Sequence, residues 1–532
     1  MTTQRPRSRR AVLAGVIGLG LGALVIGVVA IAKNWDALAQ EVSFLVAFSA
    51  LPVGIVAAFP DTRHHIRAAL YVAGAGLAVL AAVFLIRLAW LTREQPVIKI
   101  GVSLPFTIDQ SDANPMYDAV KQALASLPGA DGRQVNDHTR EVSHHIIELV
   151  PIDDSSIGAG GCAGGKSCPV SAGGRHEDFT DIARDPRVAA IVGPFNSGVA
   201  VSEIPVTTKA HIALISPAAT ADCLTNPRFA EGSCDVAKLG TGSYFRVATP
   251  DSVREKALAD YLWGSWQEQH PATTPKVVIY EESGPKASTF SNSAGERFSE
   301  AWLQHTSVAP AVYPLADASS EDDVRVSLSK LTFTPDIILY SGTGSVGPKL
   351  YQAAAQLGLS STIFAGPGSL ENAEYAGYVN HSPGGTLYAV DFAAAPLEDT
   401  NNAPNLSQFE EPKLYSAIAY DAAKICLLAI QRVLDDQQHS ALDDVALRSR
   451  IALAAQPFRL DVENSFRTQV VEKIAWLNTQ VAGSISYHGV TGTYSFNNHD
   501  ADGAAGVTIS TYVVATHAWK AVNLDPRSGS RP

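Results

Sequence analysis

The chain has 532 residues, 46% of them hydrophobic and 17% charged, with a formal net charge of −12. This balance excludes an intrinsically disordered chain, and the 41 Gly and 30 Pro follow no collagen-like period. An acidic chain also lacks the basic footprint that neutralises phosphates, so a nucleic-acid binder is excluded.

A mean hydropathy of +0.07 averages two chemically different parts. Residues 1–96 hold three apolar runs, at 11–32, 42–59 and 68–91. A spanning helix needs about 20 apolar residues, so the first and third runs qualify outright. The second is shorter and carries Pro52, which neighbouring helices can accommodate. A cleavable signal peptide competes as a reading of the first run. That run is longer than an ordinary signal core and further apolar runs follow it, so three transmembrane helices are expected. Arg5, Arg7, Arg9 and Arg10 precede the first run, and Arg63 and Arg67 lie between the second and third. The positive-inside bias then predicts a multi-pass cell-membrane protein with a cytoplasmic N-terminus and an extracytoplasmic C-terminal part. Arg87 lies near the outer end of the third run, where its stem can reach the interface. With no cysteine before Cys162, a lipid-modified N-terminal cysteine is not the anchor.

The five cysteines fall as Cys162 and Cys168, Cys223 and Cys234, and a solitary Cys426. In an oxidising compartment each pair can close a surface loop as a disulfide. The spacings do not suit a tetrahedral zinc cluster. Cys426, in the apolar stretch AAKICLLAI, reads as a small buried hydrophobe on a helix.

From Val97 to Ala521 short apolar runs alternate with helical patterns. VIKIGVSL, IIELVPIDD, VAAIVGP and HIALISP read as strands, while NPMYDAVKQALASL, HEDFTDIARD and FNSGVAVSEIPVTTKA read as helices. A second series begins near Ser243, with SVREKALADYLWGSW, a segment around Phe290–His305, Asp322–Leu331 and VGPKLYQAAAQLG as helices. Its strands are KVVIYEES, Ala309–Leu315, PDIILYSG and TIFAGPG. TYSF and STYVVAT add final antiparallel strands. Strands joined by helices imply parallel α/β sheets, here two doubly wound modules whose ligands bind outside the carboxyl ends of the strands.

The segments IKIGVSLPFT, VAAIVGPFNSGVA, ALISPAATADCLT, PDIILYSGTG, IFAGPGSLEN, LYSAIAYDAAKICLLAI and GVTGTYSFNNHDADG, in that order, resemble the type I periplasmic-binding-protein family. The branch concerned holds the leucine/isoleucine/valine-binding protein and receptor ligand-binding regions. The resemblance implies two lobes joined by a hinge, closing on a small molecule. It places lobe 1 at 97–247 plus 391–481, lobe 2 at 248–390 plus 482–521, and a disordered tail at 522–532. It also implies a solute-binding protein that captures a small polar or amino-acid-like ligand between its lobes for an ABC-type uptake system, with an ABC permease as partner. The alternative is a ligand-sensing receptor or regulatory subunit acting through another membrane protein. Neither reading involves catalysis or a cofactor.

In GPFNSG the chain leaves a strand and starts a helix near Asn196, so exposed N–H groups with the Ser197 hydroxyl form an anion site. The resemblance carries ligand contacts onto Ser197, Ala218 and Thr220, which hold the carboxylate and amine of an amino acid in that family. Helix capping and turn filling are the ordinary roles of the same residues. The second lobe departs from the amino-acid pattern. Gly368 stands where the family has an acidic residue, with Glu371 three residues on as a substitute, and Thr343 and Ser283 replace aromatics. These changes remove the charge partner of an ammonium, so a different ligand class, or a site that has lost binding, is expected.

Enzymatic readings are weaker. Gly342, Gly344 and Gly347 form a GxGxxG string between a strand and a helix, the setting of a dinucleotide-dependent oxidoreductase. Adjacent His144 and His145 point to opposite faces of a strand and do not share a metal. Asp153 and Asp154 stand at the carboxyl end of a strand, where one could reach the cleft, and read first as solvated loop charges.

Overall fold

The computed structural model describes residues 97–524, apart from 108–109, 128–133, 137–138, 143–144, 155–178, 231–233, 235–241, 284–287, 317–318, 343–345, 360, 371–385, 394–413, 444–459, 483, 492–493, 497–505 and 514–517. The chain divides between Glu94 and Gln95. The three apolar runs at 11–32, 42–59 and 68–91, with Arg87, lie outside the described residues, as does the 525–532 end of the expected tail. Among the described residues no helix is long and apolar enough to cross a membrane.

The first lobe is built on β1 (Val97–Leu104), β2 (Gln134–Asn136), β3 (Thr139–Val142), β4 (His145–Asp153), β5 (Val188–Val192), β6 (Ala213–Ser216) and β7 (Tyr244–Arg246), in the sheet order β2-β3-β4-β1-β5-β6-β7. β4, β1, β5, β6 and β7 run parallel, and the β2–β3 hairpin closes one edge antiparallel. β5 and β6 are buried along their whole lengths because helices cover both faces. Those helices are α1 (Gln110–Ala125), α2 (Phe179–Arg184) and α3 (Ser197–Lys209), joined by α8 (Leu414–Asp443) and α9 (Leu460–Ala475) from later in the chain. Cys426 is fully buried on α8, as its apolar neighbours predict. Arg467 of α9 donates to the Val188 carbonyl at 2.8 Å and the Asp185 carbonyl at 2.6 Å, fixing the late helix to the early sheet.

The second lobe holds α4 (Asp251–Gln269), β8 (Val277–Ser283), α5 (Ser288–Trp302), β9 (Ala311–Ala316), α6 (Glu321–Ser329), β10 (Ile337–Ser341), α7 (Gly347–Gln356), β11 (Ile363–Pro367) and β12 (Leu387–Ala393). β13 (Gly506–Val513) and β14 (Ala518–Leu524) complete the order β14-β13-β12-β11-β10-β8-β9. The first five strands are parallel and the last two antiparallel; β13 overlaps the expected strand STYVVAT, whereas β14 was not anticipated. β9 is an edge strand with alternating exposure, and Pro314 fits there because an edge needs no further donor. The β2–β3 hairpin, α9 and β12 were not anticipated from the sequence.

Two boundaries differ from the sequence reading. Residues 485–496, expected in the second lobe, pack in the first: Ile485, Val490, Tyr494 and Phe496 are buried with Ile425, Cys426 and Val470. The cause is Asp421 of α8, a fully buried carboxylate. It accepts from Val490 N at 2.8 Å, Thr491 N at 2.8 Å and the Tyr494 hydroxyl at 3.2 Å, and also from the Tyr487 and Thr491 hydroxyls. Tyr494, Ser495 and Phe496 of the expected TYSF strand are therefore not in a strand, and Thr493 lies outside the described residues. Phe496 N donates to the Leu477 carbonyl at 3.1 Å and its ring meets Phe245 at 5.4 Å. The chain recrosses between Phe496 and β13 rather than at 482, and β14 continues to Leu524, past the expected end at 521.

Candidate functional site

In both sheets the chain order reverses beside the first strand, β1 in one lobe and β8 in the other, and ligand crevices form at the carboxyl ends of strands at such points. After β5, Gly193 has φ 131°, and a Cβ there would run into the Ser103 carbonyl, so only glycine fits. The turn continues through Pro194 and Phe195 into α3.

Asn196 is the N-cap of α3, but its side chain makes no capping bond. Val199 N and Ala200 N both donate to the Asn196 carbonyl, which leaves the Ser197 and Gly198 N–H groups without helical partners. Ser197 Oγ accepts from Ala221 N at 3.2 Å, so its own proton is available to a ligand. Thr220 is 2% exposed, and its Oγ1 has no hydrogen-bond partner. An unpaired buried hydroxyl costs free energy unless something satisfies it. Asn196, Ser197, Ala218 and Thr220 are thus brought together at one helix N-terminus.

The floor beneath them is acidic and built in. Asp153 and Asp154 are 6% and 1% exposed, which corrects the reading of solvated loop charges. Asp153 accepts from the Thr107 N–H at 3.3 Å and from its hydroxyl, while Asp154 accepts from Phe195 N at 3.3 Å. The two carboxylates bind the loops after β1 and β5 to the end of β4. Glu203, fully buried on α3, accepts from Ser103 Oγ at 2.6 Å. Burial, reinforced by the Asp154 charge, holds its carboxyl well above the usual range.

The loop after β6 is held at nearly every backbone group. Ala219 N donates to Ser216 Oγ at 2.9 Å, and Asp251 N donates to the Thr220 carbonyl at 3.0 Å. The buried Arg246 guanidinium donates to the carbonyls of Ala219 at 3.3 Å and Ala221 at 2.7 Å. Cys223 and Cys234 form the expected disulfide, whereas Cys162 and Cys168 lie outside the described residues. The sequence reading passed over Arg246 because an arginine in a short strand carries no motif.

The second lobe offers less. Ser283 is exposed at the end of β8, and Gly368 is buried at the start of a single 3-10 turn to Leu370. Thr343 and Glu371 lie outside the described residues. Glu282, 1% exposed, accepts from the Tyr340 hydroxyl. A Cβ on Gly342 would collide with both of these side chains, and one on Gly347 with Leu370 and Tyr340. Gly342 and Gly347 therefore serve close packing around a tyrosine, while Gly344 lies outside the described residues. A carboxylate stands against Gly342, where a dinucleotide fingerprint needs room for a phosphate. His144 lies outside the described residues, and among the described residues no three His, Cys, Asp or Glu side chains could hold a metal.

Solved structures share this architecture. One is the branched-chain amino-acid substrate-binding protein LivJ from Streptococcus pneumoniae in complex with isoleucine (18% identity, 81% of this chain and 100% of that one, TM-score 0.53). Another is the leucine-binding protein LivK from Thermotoga maritima (17% identity, 80% and 97% coverage, TM-score 0.51). A third is an ABC-transporter solute-binding protein from R. palustris in complex with 4-hydroxybenzoate (11% identity, 81% and 96% coverage, TM-score 0.54). No protein-family model matches the chain, and no curated protein sequence matches it either. At these identities the likeness establishes the fold, which is that of the type I periplasmic-binding proteins.

Proposed function

We propose that this chain is an extracytoplasmic solute-binding protein, held to the membrane by its N-terminal runs, that captures a small carboxylate-bearing ligand between its lobes for an ABC-type uptake system. The observation that carries this reading is the unpartnered, buried Thr220 hydroxyl beside the uncapped N-terminus of α3. Together with Ser197 it presents donors to a carboxylate, and the helix dipole favours the charge. The solved relatives in complex with isoleucine and 4-hydroxybenzoate support a carboxylate as the shared feature. Gly368 stands where an amino-acid binder of this family has an acidic residue, which favours an aromatic acid over a free amino acid. Three apolar runs exceed what a simple tether needs, and this favours a sensing role through a membrane partner as the second reading.

The test is thermal unfolding of the full chain in detergent with L-leucine, L-isoleucine, benzoate, 4-hydroxybenzoate and spermidine. One or more of the acids is expected to raise the melting temperature, and Ser197→Ala with Thr220→Ala should remove the effect. Stabilisation by spermidine alone, or by none of the five, would sink the carboxylate reading. Neighbouring genes for a permease and an ATPase would separate uptake from sensing.

A further inference from the structure

Helix α4 opens the second lobe, directly after the chain first crosses from lobe to lobe. Its N-cap is Pro250, which has no side-chain acceptor to offer. The missing cap comes from the first lobe. Asp222 accepts from the Ser252 N–H at 2.8 Å and from the Ser252 hydroxyl at 2.5 Å. Its own N–H donates to Ser293 Oγ of α5 at 3.3 Å. One residue earlier, Ala221 is held by Ser197 and Arg246, and Thr220 by the Asp251 N–H. A second contact follows the same seam, with Arg297 of α5 lying 4.1 Å over the Phe229 ring inside the disulfide loop.

We propose that Asp222 and Arg246 are positioning residues that make the candidate binding loop and the start of the second lobe one mechanical unit. Arg246 sets the two carbonyls flanking Thr220, and Asp222 converts the end of that loop into the cap of α4. A displacement of Thr220 by a ligand is thereby transmitted to the first turn of the helix that leads into the moving lobe. The inference rests on the reading that residues 218–222 hold the ligand.

Amide hydrogen exchange of the full chain, measured without any ligand, tests the linkage separately from that reading. In Asp222→Ala, peptides spanning 216–224 and 250–258 should both exchange at least about tenfold faster, because a charge-assisted cap has been lost at both. Asp222→Asn keeps an oxygen for the Ser252 N–H and should restore most of the protection in both peptides. Ser252→Ala, a milder change, should give the same paired pattern at smaller amplitude if Asp222→Ala does not fold. Arg246→Lys, which exchanges a two-pronged donor for a point charge, should speed exchange mainly in 216–224. Acceleration confined to 250–258, or equal behaviour of the Ala and Asn variants, overturns the proposal. A chain that binds none of the four acids but shows the paired response would refute the functional reading and leave the linkage standing.

Discussion

The carboxyl ends of the two sheets are built alike from strand and helix, yet they handle their carboxylates differently. The first lobe keeps its Asp153 and Asp154 carboxylates on loop N–H groups, leaves Thr220 Oγ1 buried without a partner, and starts α3 without a side-chain cap. In the second lobe Glu282 accepts from the Tyr340 hydroxyl and the Ser341 hydroxyl donates to the Ser291 carbonyl at 2.7 Å, which leaves the buried Ser291 hydroxyl as an unpartnered group there. A lobe with unspent hydrogen-bonding capacity suits the charged end of a ligand. A lobe that closes its carboxylate onto its own tyrosine suits shape selection and closure.

The largest expected effect tests whether the first lobe depends on its buried hub. Asp421→Ala strands five donors and should lower stability by about 3–5 kcal/mol in denaturant unfolding. A loss below about 1 kcal/mol would mean that residues 485–496 dock without it. Next, Thr220→Val keeps the shape and removes the donor. It should weaken binding of whichever acid stabilises the chain by about tenfold or more in calorimetry, while leaving the unliganded melting temperature nearly unchanged. Gly342→Ala probes the packed second lobe and should cost about 1–3 kcal/mol through collision with Tyr340 and Glu282. If the variant is as stable as the parent chain and gains nucleotide binding, the close-packing account of that loop fails.

A smaller, pH-dependent effect concerns the seam between the lobes. Burial pushes Glu255 up to about 8, with Asp251 and Asp222 adding to the rise and Arg254 opposing it. A folded-state value above the unfolded one makes a contribution that is full below about 4.5 and is lost as pH rises through about 8. The melting temperature should therefore fall between pH 5 and pH 8, and Glu255→Gln should narrow that fall by about 2 °C or more. An unchanged pH slope would show that Glu255 does not hold a proton in the folded chain. The smallest effect belongs to Ser283→Ala, exposed at the end of β8, which should move stability by less than about 0.5 kcal/mol. A large loss of ligand affinity there would erase the contrast between the lobes.

Much of this was legible from local pattern. Strands such as VAAIV and IILYS are short continuous apolar runs, and the helices between them have the right length and period. Asn196, Ser197, Ala218 and Thr220 were visible because a strand-to-helix turn and a loop motif mark them. Arg246, Asp222 and Asp421 were not, since each acts on partners distant in sequence: Asp421 meets Val490 and Thr491 about seventy positions away. A signal did exist for the last of these. An aspartate inside the apolar run LYSAIAYDAAKICLLAI needs a buried partner, and GVTGTY supplies one, with Gly489 leaving room for the carboxylate.

By itself the sequence determined the α/β alternation, the fold, the disulfide at Cys223 and the strand-to-helix turn that presents Ser197, because each depends on residues within about one element of each other. Only the tertiary structure decided which lobe claims Ile485, Val490, Tyr494 and Phe496, what Gly342 and Gly347 pack against, and how Asp222 comes to cap a helix in the other lobe. Those outcomes depend on buried carboxylates finding donors across long stretches of chain, and no local period encodes that pairing.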